Sequence, residues 1–252
     1  MILSRRCLLA AAMAVCLIPA FLVGQDKPND AIIPAPRPGK QMERHEEFNK
    51  RVKQGNVDLI FIGDSITQGW EGNGKNVWAE FYGKRNAVNL GIGGDRTQHV
   101  LWRLDHGNID GINPKLAVLM IGTNNSGSNT SEQIAEGVKL IVEKLRTKLP
   151  STKVLVLGIF PRADNFDANK NKTEKGTPSD AKRKVNEAAN EIIKKQADNK
   201  MVFYMDIGPK FLEPDGTLSR EIMPDLLHLN EKSYRIWAES IEPKVKELMG
   251  EK

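Results

Sequence analysis

Three side chains have the types and placement for nucleophilic catalysis. Ser65 follows Gly63 and Asp64, while Asp225 and His228 stand three residues apart near the end of the chain. A serine hydroxyl attacks poorly until a neighbouring base removes its proton. His228 suits that role, and Asp225 can fold back to hold the Nδ1 proton of the ring, which is the logic of nucleophile, base and orienting carboxylate. Two further clusters offer what acyl transfer needs next, donors aimed at a tetrahedral oxyanion. In Asn89-Leu90-Gly91-Ile92-Gly93-Gly94-Asp95, the bare Gly94 can bring a backbone N–H close to a substrate. In Gly122-Thr123-Asn124-Asn125, Asn124 carries a side-chain amide, and Ser65 would add its own N–H. Taken singly, each has a plainer explanation. Ser65 fits a turn or helix cap, the Asp225–His228 pair a surface feature, the glycines a tight strand-to-helix turn, and Asn124 with Asn125 an Asx turn.

The elements that must carry these clusters alternate along the chain. Short, nearly continuous apolar runs cover Val57 to Ile62, Ala87 to Leu90, Leu116 to Ile121, Val154 to Ile159 and Met201 to Met205. Runs of that length and character are expected of strands buried on both faces. Between them lie helical patterns: a polar segment from Glu43 to Gln54, then Ser131 to Leu149 with Ile134, Val138, Ile141, Val142 and Leu145 on one side. Pro178 to Ala197 opens with Thr177 as N-cap, Pro178 in the first turn and Asp180 as capping acid, and Glu231 to Met249 closes the chain. Strands alternating with helices predict an α/β domain of three layers, α/β/α, around a five-stranded parallel sheet. Ligands of such sheets sit beyond the carboxyl ends of the strands. Three of the clusters follow an apolar run directly and the fourth precedes the last helix, so all would converge on one end of the sheet.

Four clusters in this order resemble the four sequence blocks of the SGNH (or GDSL) hydrolase superfamily, over about Val57 to Leu248. Ser65 matches the block I serine and Gly94 the block II glycine of Asn89-x-Gly91-x-x-Gly94. Asn124 matches the block III asparagine, and Asp225 with His228 the block V Asp-x-x-His. The stretch from Gly91 to Leu104 looks much like the catalytic subunits of the platelet-activating-factor acetylhydrolases. So does Gly122-Thr123-Asn124-Asn125, where many relatives carry Asp in place of Asn125. The resemblance implies a flavodoxin-like sheet, catalysis by Ser65, Asp225 and His228, an oxyanion hole from Ser65, Gly94 and Asn124, an acyl-enzyme, and no metal or cofactor. It also implies short-chain, acetyl O-esters as substrates. This chain departs from those subunits by its leader and by a polar insertion, Asp164 to Lys175, after Phe160-Pro161-Arg162, so the alcohol side of the ester is not carried over.

The leader argues for export. Arg5 and Arg6 precede an apolar run from Leu8 to Val23, and the chain turns polar after Gly24. Residues 1–24 therefore read as a signal peptide cleaved near Gly24, with a retained membrane anchor as the competing reading. Ser4-Arg5-Arg6-Cys7-Leu8-Leu9 resembles a twin-arginine signal. Cys16 could be read as a lipid-attachment cysteine, but Val15 before it is a poor fit to the small residue expected there. Both cysteines fall in the leader, so the mature chain has no thiol for a disulfide, a nucleophile or a metal. Residues 25–41, with Pro28, Pro34, Pro36 and Pro38, read as a linker, and residues 42–252 as one domain. An exported esterase meets acetylated glycans, which favours a carbohydrate alcohol.

Composition excludes little else. Of 252 residues, 40% are hydrophobic and 27% charged, ordinary for a globular chain. The net charge of +5 sits largely in the leader and from Lys170 to Lys184, interspersed with acids and without interleaved aromatics, so no nucleic-acid partner is expected. Gly91-Ile92-Gly93-Gly94-Asp95-Arg96 fails the dinucleotide pattern, because Arg96 stands where its third glycine belongs. No His, Asp and Glu set has metal-ligand spacing. His45 is expected to be solvated, and His99 and His106, which flank Trp102, to be packing or surface residues rather than catalysts. Two other functions compete: a lysophospholipase or thioesterase, with Trp70, Trp78 and Trp102 lining an acyl groove, and a non-catalytic carbohydrate-binding protein, which the intact Ser65, Asp225 and His228 disfavour.

Overall fold

A computed structural model describes residues 28–165 and 174–251. The expected signal peptide, with Cys7 and Cys16, and residues 166–173 of the polar insertion lie outside the described residues.

The strands are β1 (Leu59–Gly63), β2 (Ala87–Gly91), β3 (Leu116–Met120), β4 (Lys153–Leu157), β5 (Lys175–Gly176), β6 (Val202–Met205) and β7 (Leu218–Ser219). Five of them form one sheet in the order β2-β1-β3-β4-β6, with every neighbouring pair parallel. Numbered within the sheet this is 2-1-3-4-5, the flavodoxin-like winding, whose order reverses between β1 and β3. β5 and β7 make a separate antiparallel pair. The apolar runs and the observed strands agree to within two residues at each end.

The helices are α1 (Lys40–Lys53), α2 (Ser65–Gln68), α3 (Lys75–Phe81), α4 (Thr97–Asp105), α5 (Ser131–Lys148), α6 (Ala181–Ile193) and α7 (Glu231–Met249). Successive strand residues face opposite ways, which splits the core in two. Ile60 and Ile62 of β1 pack with Phe48 and Val52 of α1, Leu101 of α4, Ile141 of α5 and Ile193 of α6. Leu59 and Phe61 pack on the other face with Ile66 of α2, Val77 of α3 and Trp237 of α7. The result is the expected three-layer α/β/α arrangement.

Three local expectations need correction. His45 is buried rather than solvated: it lies three residues before Phe48, on the face that α1 turns to the core, with its ring 5.0 Å from that of Trp102. The N-cap of α6 is Asp180, not Thr177, and Asp180 reaches back to the Thr177 N–H at 2.6 Å. The free N–H groups of Ala181 and Lys182 are instead met by the Asp164 carboxylate at 2.9 and 2.7 Å, a distant acid at the positive end of the helix. Trp70 is buried in an aromatic cluster with Phe61 and Tyr82, so the competing acyl-groove reading loses it; Trp78 joins the same cluster but stays half-buried and lines an open surface cavity with Phe48 and Ala87. Trp102 stacks on His106 at 3.9 Å, in keeping with the expected packing role of that histidine.

The described part of the expected linker, from Pro28 onward, packs on the domain. Asp30–Ile32 forms a 3-10 turn capped by Asn29, and Ala31 is fully buried. The Thr97 hydroxyl donates to the Ala31 carbonyl at 2.7 Å, and the Ala35 N–H to the Gln98 carbonyl at 3.2 Å. Prolines keep this strap extended, and α4 supplies its partners. It leads straight into α1, which begins at Lys40, ahead of the expected Glu43.

Candidate active site

The end of β1 dictates how Ser65 is presented. A Cβ on Gly63 would come within 2.4 Å of the Met120 carbonyl on β3 and 2.1 Å of the Thr67 hydroxyl, so only glycine lets the chain turn there. Asp64 then caps α2 by accepting the Ile66 N–H at 2.9 Å. Ser65 becomes the first helical residue, on a sharp strand-to-helix turn, and its own N–H is one of those that a helix leaves free.

The loop before α7 brings the other two residues to it. The Ser65 Oγ and His228 Nε2 are 2.9 Å apart, and His228 Nδ1 lies 2.6 Å from Asp225 Oδ2. With Asp225 ionised, Nδ1 carries the ring proton and donates it to the carboxylate, which leaves Nε2 to accept from the serine. Asp225 Oδ1 accepts the N–H groups of Leu227 at 3.0 Å and His228 at 2.7 Å. This Asx turn requires Leu226 in the left-handed region, at φ 63°. Such a conformation costs about 1–2 kcal/mol in a non-glycine residue. The fully buried Leu226 side chain and its carbonyl, which accepts the Ala163 N–H at 3.0 Å, offset that cost. Burial alone would raise the Asp225 carboxyl, but the hydrogen bonds from His228 outweigh it and hold the group below its ordinary value.

Gly94 sits beside this chain at φ 77°, a conformation that side-chain-bearing residues rarely take. The preceding glycine touches the Ser65 turn: a Cβ on Gly93 would lie 3.8 Å from that of Ser65, and its N–H donates to the Gln68 side chain at 2.7 Å. Asn124 donates one amide hydrogen to the Asp95 carbonyl at 2.9 Å, which leaves its second hydrogen for another acceptor. Its neighbour Asn125 is buried and serves the scaffold, accepting the Thr97 N–H at 3.0 Å. The structure thus gathers Ser65, Asp225, His228, Gly94 and Asn124 at the carboxyl end of the sheet, around the switch between β1 and β3. Such a set could carry out attack on an acyl carbon, proton transfer through imidazole and stabilisation of an oxyanion.

Sequence reasoning missed the charges beneath the site. Asp95 is buried and paired with Arg103 at 2.8 Å and Arg37 at 3.3 Å. Arg103 also donates to Asn108 at 2.6 Å. Arg162, buried too, donates to the Thr123 carbonyl at 3.2 Å and so ties the loop after β4 to the loop after β3. Apolar runs give no hint of the Arg37–Asp95 and Arg162–Thr123 contacts, which join residues 58 and 39 positions apart. His99 is held neutral, pushed down to about 4 by burial and by the nearby Arg37, Arg96 and Arg103 charges, and its Nδ1 accepts the Arg96 N–H at 3.0 Å. Among the described residues, no group of three or more His, Cys, Asp or Glu side chains is arranged to hold a metal ion, and no helix is long and apolar enough to cross a membrane.

Asp64 is a buried acid with one oxygen, Oδ2, lacking a partner. Burial raises its pKa from 3.8 to about 7, against the opposing Ile66 N–H. The unfolded chain would release this proton near pH 4 and the folded chain only near 7. Its contribution to stability is therefore full below pH 4 and fades as pH rises to 7, where folding must bury a charge. Asp64→Asn, which cannot ionise, is expected to gain on the parent in urea unfolding as pH rises from 4 to 7. The gap should level off above that, on the order of 4 kcal/mol at most. A gap that stays constant over this range would mean that Asp64 ionises normally.

Comparison with known proteins agrees with the geometry. The GDSL-like Lipase/Acylhydrolase family model matches residues 61–236. Platelet-activating factor acetylhydrolase IB subunit alpha1 of Bos taurus is 36% identical over 196 residues, 78% of each chain. Subunit alpha2 of Gallus gallus is 35% identical over 211 residues, 83% of this chain and 85% of that one. Among solved structures, a GDSL-like lipase from Bacteroides thetaiotaomicron superposes with a TM-score of 0.59 at 19% identity, covering 81% of this chain and 97% of that one. A carbohydrate acetylesterase from Sinorhizobium meliloti gives 0.54 at 19% identity, over 77% and 100%. At such identities the solved structures speak for the fold alone. The family match and the curated relatives go further: this chain belongs to the GDSL-like lipase/acylhydrolase family and is a carboxylic ester hydrolase.

Proposed function

We propose that the protein is an exported serine esterase that removes short acyl groups, acetyl first, from the hydroxyl groups of a carbohydrate, through an acyl-enzyme on Ser65. The observation that carries the serine mechanism is the continuous hydrogen-bond chain from Ser65 through His228 to Asp225. Ser65 Oγ attacks the carbonyl carbon as its proton passes to His228 Nε2, and Asp225 stabilises the imidazolium. The N–H groups of Ser65 and Gly94 and the amide of Asn124 meet the oxyanion. Collapse breaks the bond to the alcohol, which leaves with the proton from His228. A water molecule then gives its proton to the same nitrogen and its hydroxyl to the acyl carbon, releasing the acid and restoring Ser65.

The acyl preference is supported by curated relatives named as acetylhydrolases. The glycan side is supported by the export-type leader and by the scarcity of lipid-facing surface. Among the described residues, Ile33 is the large apolar side chain left exposed, and Trp70 lies in the aromatic core. The same relatives are named for platelet-activating factor, which favours a second reading as a lysophospholipase or thioesterase on lipid acyl esters. A panel of p-nitrophenyl esters from acetate to palmitate, run beside acetylated xylan and a lysophospholipid, separates the two. The expected result is the highest kcat/KM on acetate, with acetate released from the xylan. Preference for chains of eight carbons or more, with no release from the glycan, would replace this reading with the lipid one.

A further inference from the structure

Gly93 and Gly94 have no side chains, so their link is set by what bonds its backbone: the Gln68 side chain accepts the Gly93 N–H at 2.7 Å, and the Asp95 N–H closes a turn on the Ile92 carbonyl at 3.1 Å. The peptide unit joining the two glycines is planar and trans, so the Gly93 carbonyl and the Gly94 N–H point in opposite directions. Whatever holds the carbonyl therefore aims the N–H. Arg37 holds it: Nη1 donates to the Gly93 oxygen at 2.6 Å, short as expected of a charged donor, and lies 3.3 Å from Asp95 Oδ1. The guanidinium lies so close that a Cβ on Gly94 would come within 3.1 Å of Nη1 and 3.2 Å of Nη2.

The arginine itself arrives on a fixed mount. It stands between Pro36 and Pro38, which restrict its backbone, on the strap bonded to Thr97 and Gln98 of α4. From these contacts we propose that Arg37 is a positioning residue of the oxyanion hole, locking the Gly93–Gly94 peptide so that the Gly94 N–H faces the reacting oxygen. A cation on the carbonyl also polarises the peptide and strengthens its N–H as a donor. The proposal rests on the serine-esterase reading and extends its machinery to the strap ahead of α1.

The test uses Arg37→Met, which keeps the apolar stem, and Arg37→Lys, which keeps a charge beside Asp95. Asp95 retains Arg103 at 2.8 Å in both, so neither leaves a buried acid unpaired. On p-nitrophenyl acetate, kcat should fall about 10- to 100-fold in Arg37→Met, less than for outright loss of a donor, at unchanged KM and unchanged thermal midpoint. Arg37→Lys should fall by a smaller factor. Labelling by a fluorophosphonate, whose phosphoryl oxygen uses the same donors, should slow in parallel, and millimolar guanidinium ion should restore part of the rate in Arg37→Met. Should the Met variant fail to fold, the Lys variant carries the same comparison. Parental kcat in the folded variants would overturn the proposal. So would a loss that tracks a lowered thermal midpoint and resists guanidinium, since Arg37 would then act on stability alone. A parent that neither turns over nor becomes labelled would instead overturn the serine-esterase reading.

Discussion

Ser65→Ala is expected to cut kcat on an aryl acetate by about a million-fold while leaving the thermal midpoint close to that of the parent. The hydroxyl contacts His228 at 2.9 Å and lies at a half-exposed turn, so its removal opens no cavity in the core. The fold at that turn depends on Gly63 and on the Asp64 cap, neither of which the substitution touches. What remains in the variant is catalysis by the oxyanion donors and by binding, a modest acceleration over water. Stopped assays on purified variant, checked by mass spectrometry for parental contamination, give the answer. A tenth of the parental rate in that preparation would place the nucleophile elsewhere.

Asn124→Ala comes next in size, with kcat expected to drop about 100- to 1,000-fold and KM to change little. The reason is timing: a donor aimed at the oxyanion matters most when negative charge develops, not when the ester first binds. The side chain also donates to the Asp95 carbonyl, but Asp95 keeps its two arginines, so the loop has other anchors. Steady-state kinetics across an ester series would separate the roles. A rise in KM at constant kcat would make Asn124 a substrate-positioning residue.

The sheet and the clusters gathered at its carboxyl end were legible because both are written locally. β1 and β3 are buried at every position, so they read as unbroken apolar runs, and the clusters that follow them lie a few residues from the strand ends. The supporting charges were not legible. Arg37 meets Gly93 across 56 positions and Arg162 meets Thr123 across 39, distances at which no sequence period operates. The same holds for Asp164 at the start of α6, where the nearby Thr177 offered a more obvious cap. His45 misled for a different reason: α1 is polar overall, and its buried stripe of His45, Phe48 and Val52 is short, with Asn108 and Trp102 as the partners of the ring. The strap misled because proline restricts a chain equally whether it spans solvent or lies on a surface, and the packing of Ala31 decides between the two.

The 163 positions that separate Ser65 from His228 also set a clock. A ribosome adds about 5–20 residues per second, so roughly 8–30 s separate the synthesis of Ser65 from that of His228. Throughout that interval Ser65 has no imidazole beside it, although the last strand of the sheet, β6, is complete at Met205. The contact between the two side chains can form only once the loop before α7 has been made and has docked beside the end of β1.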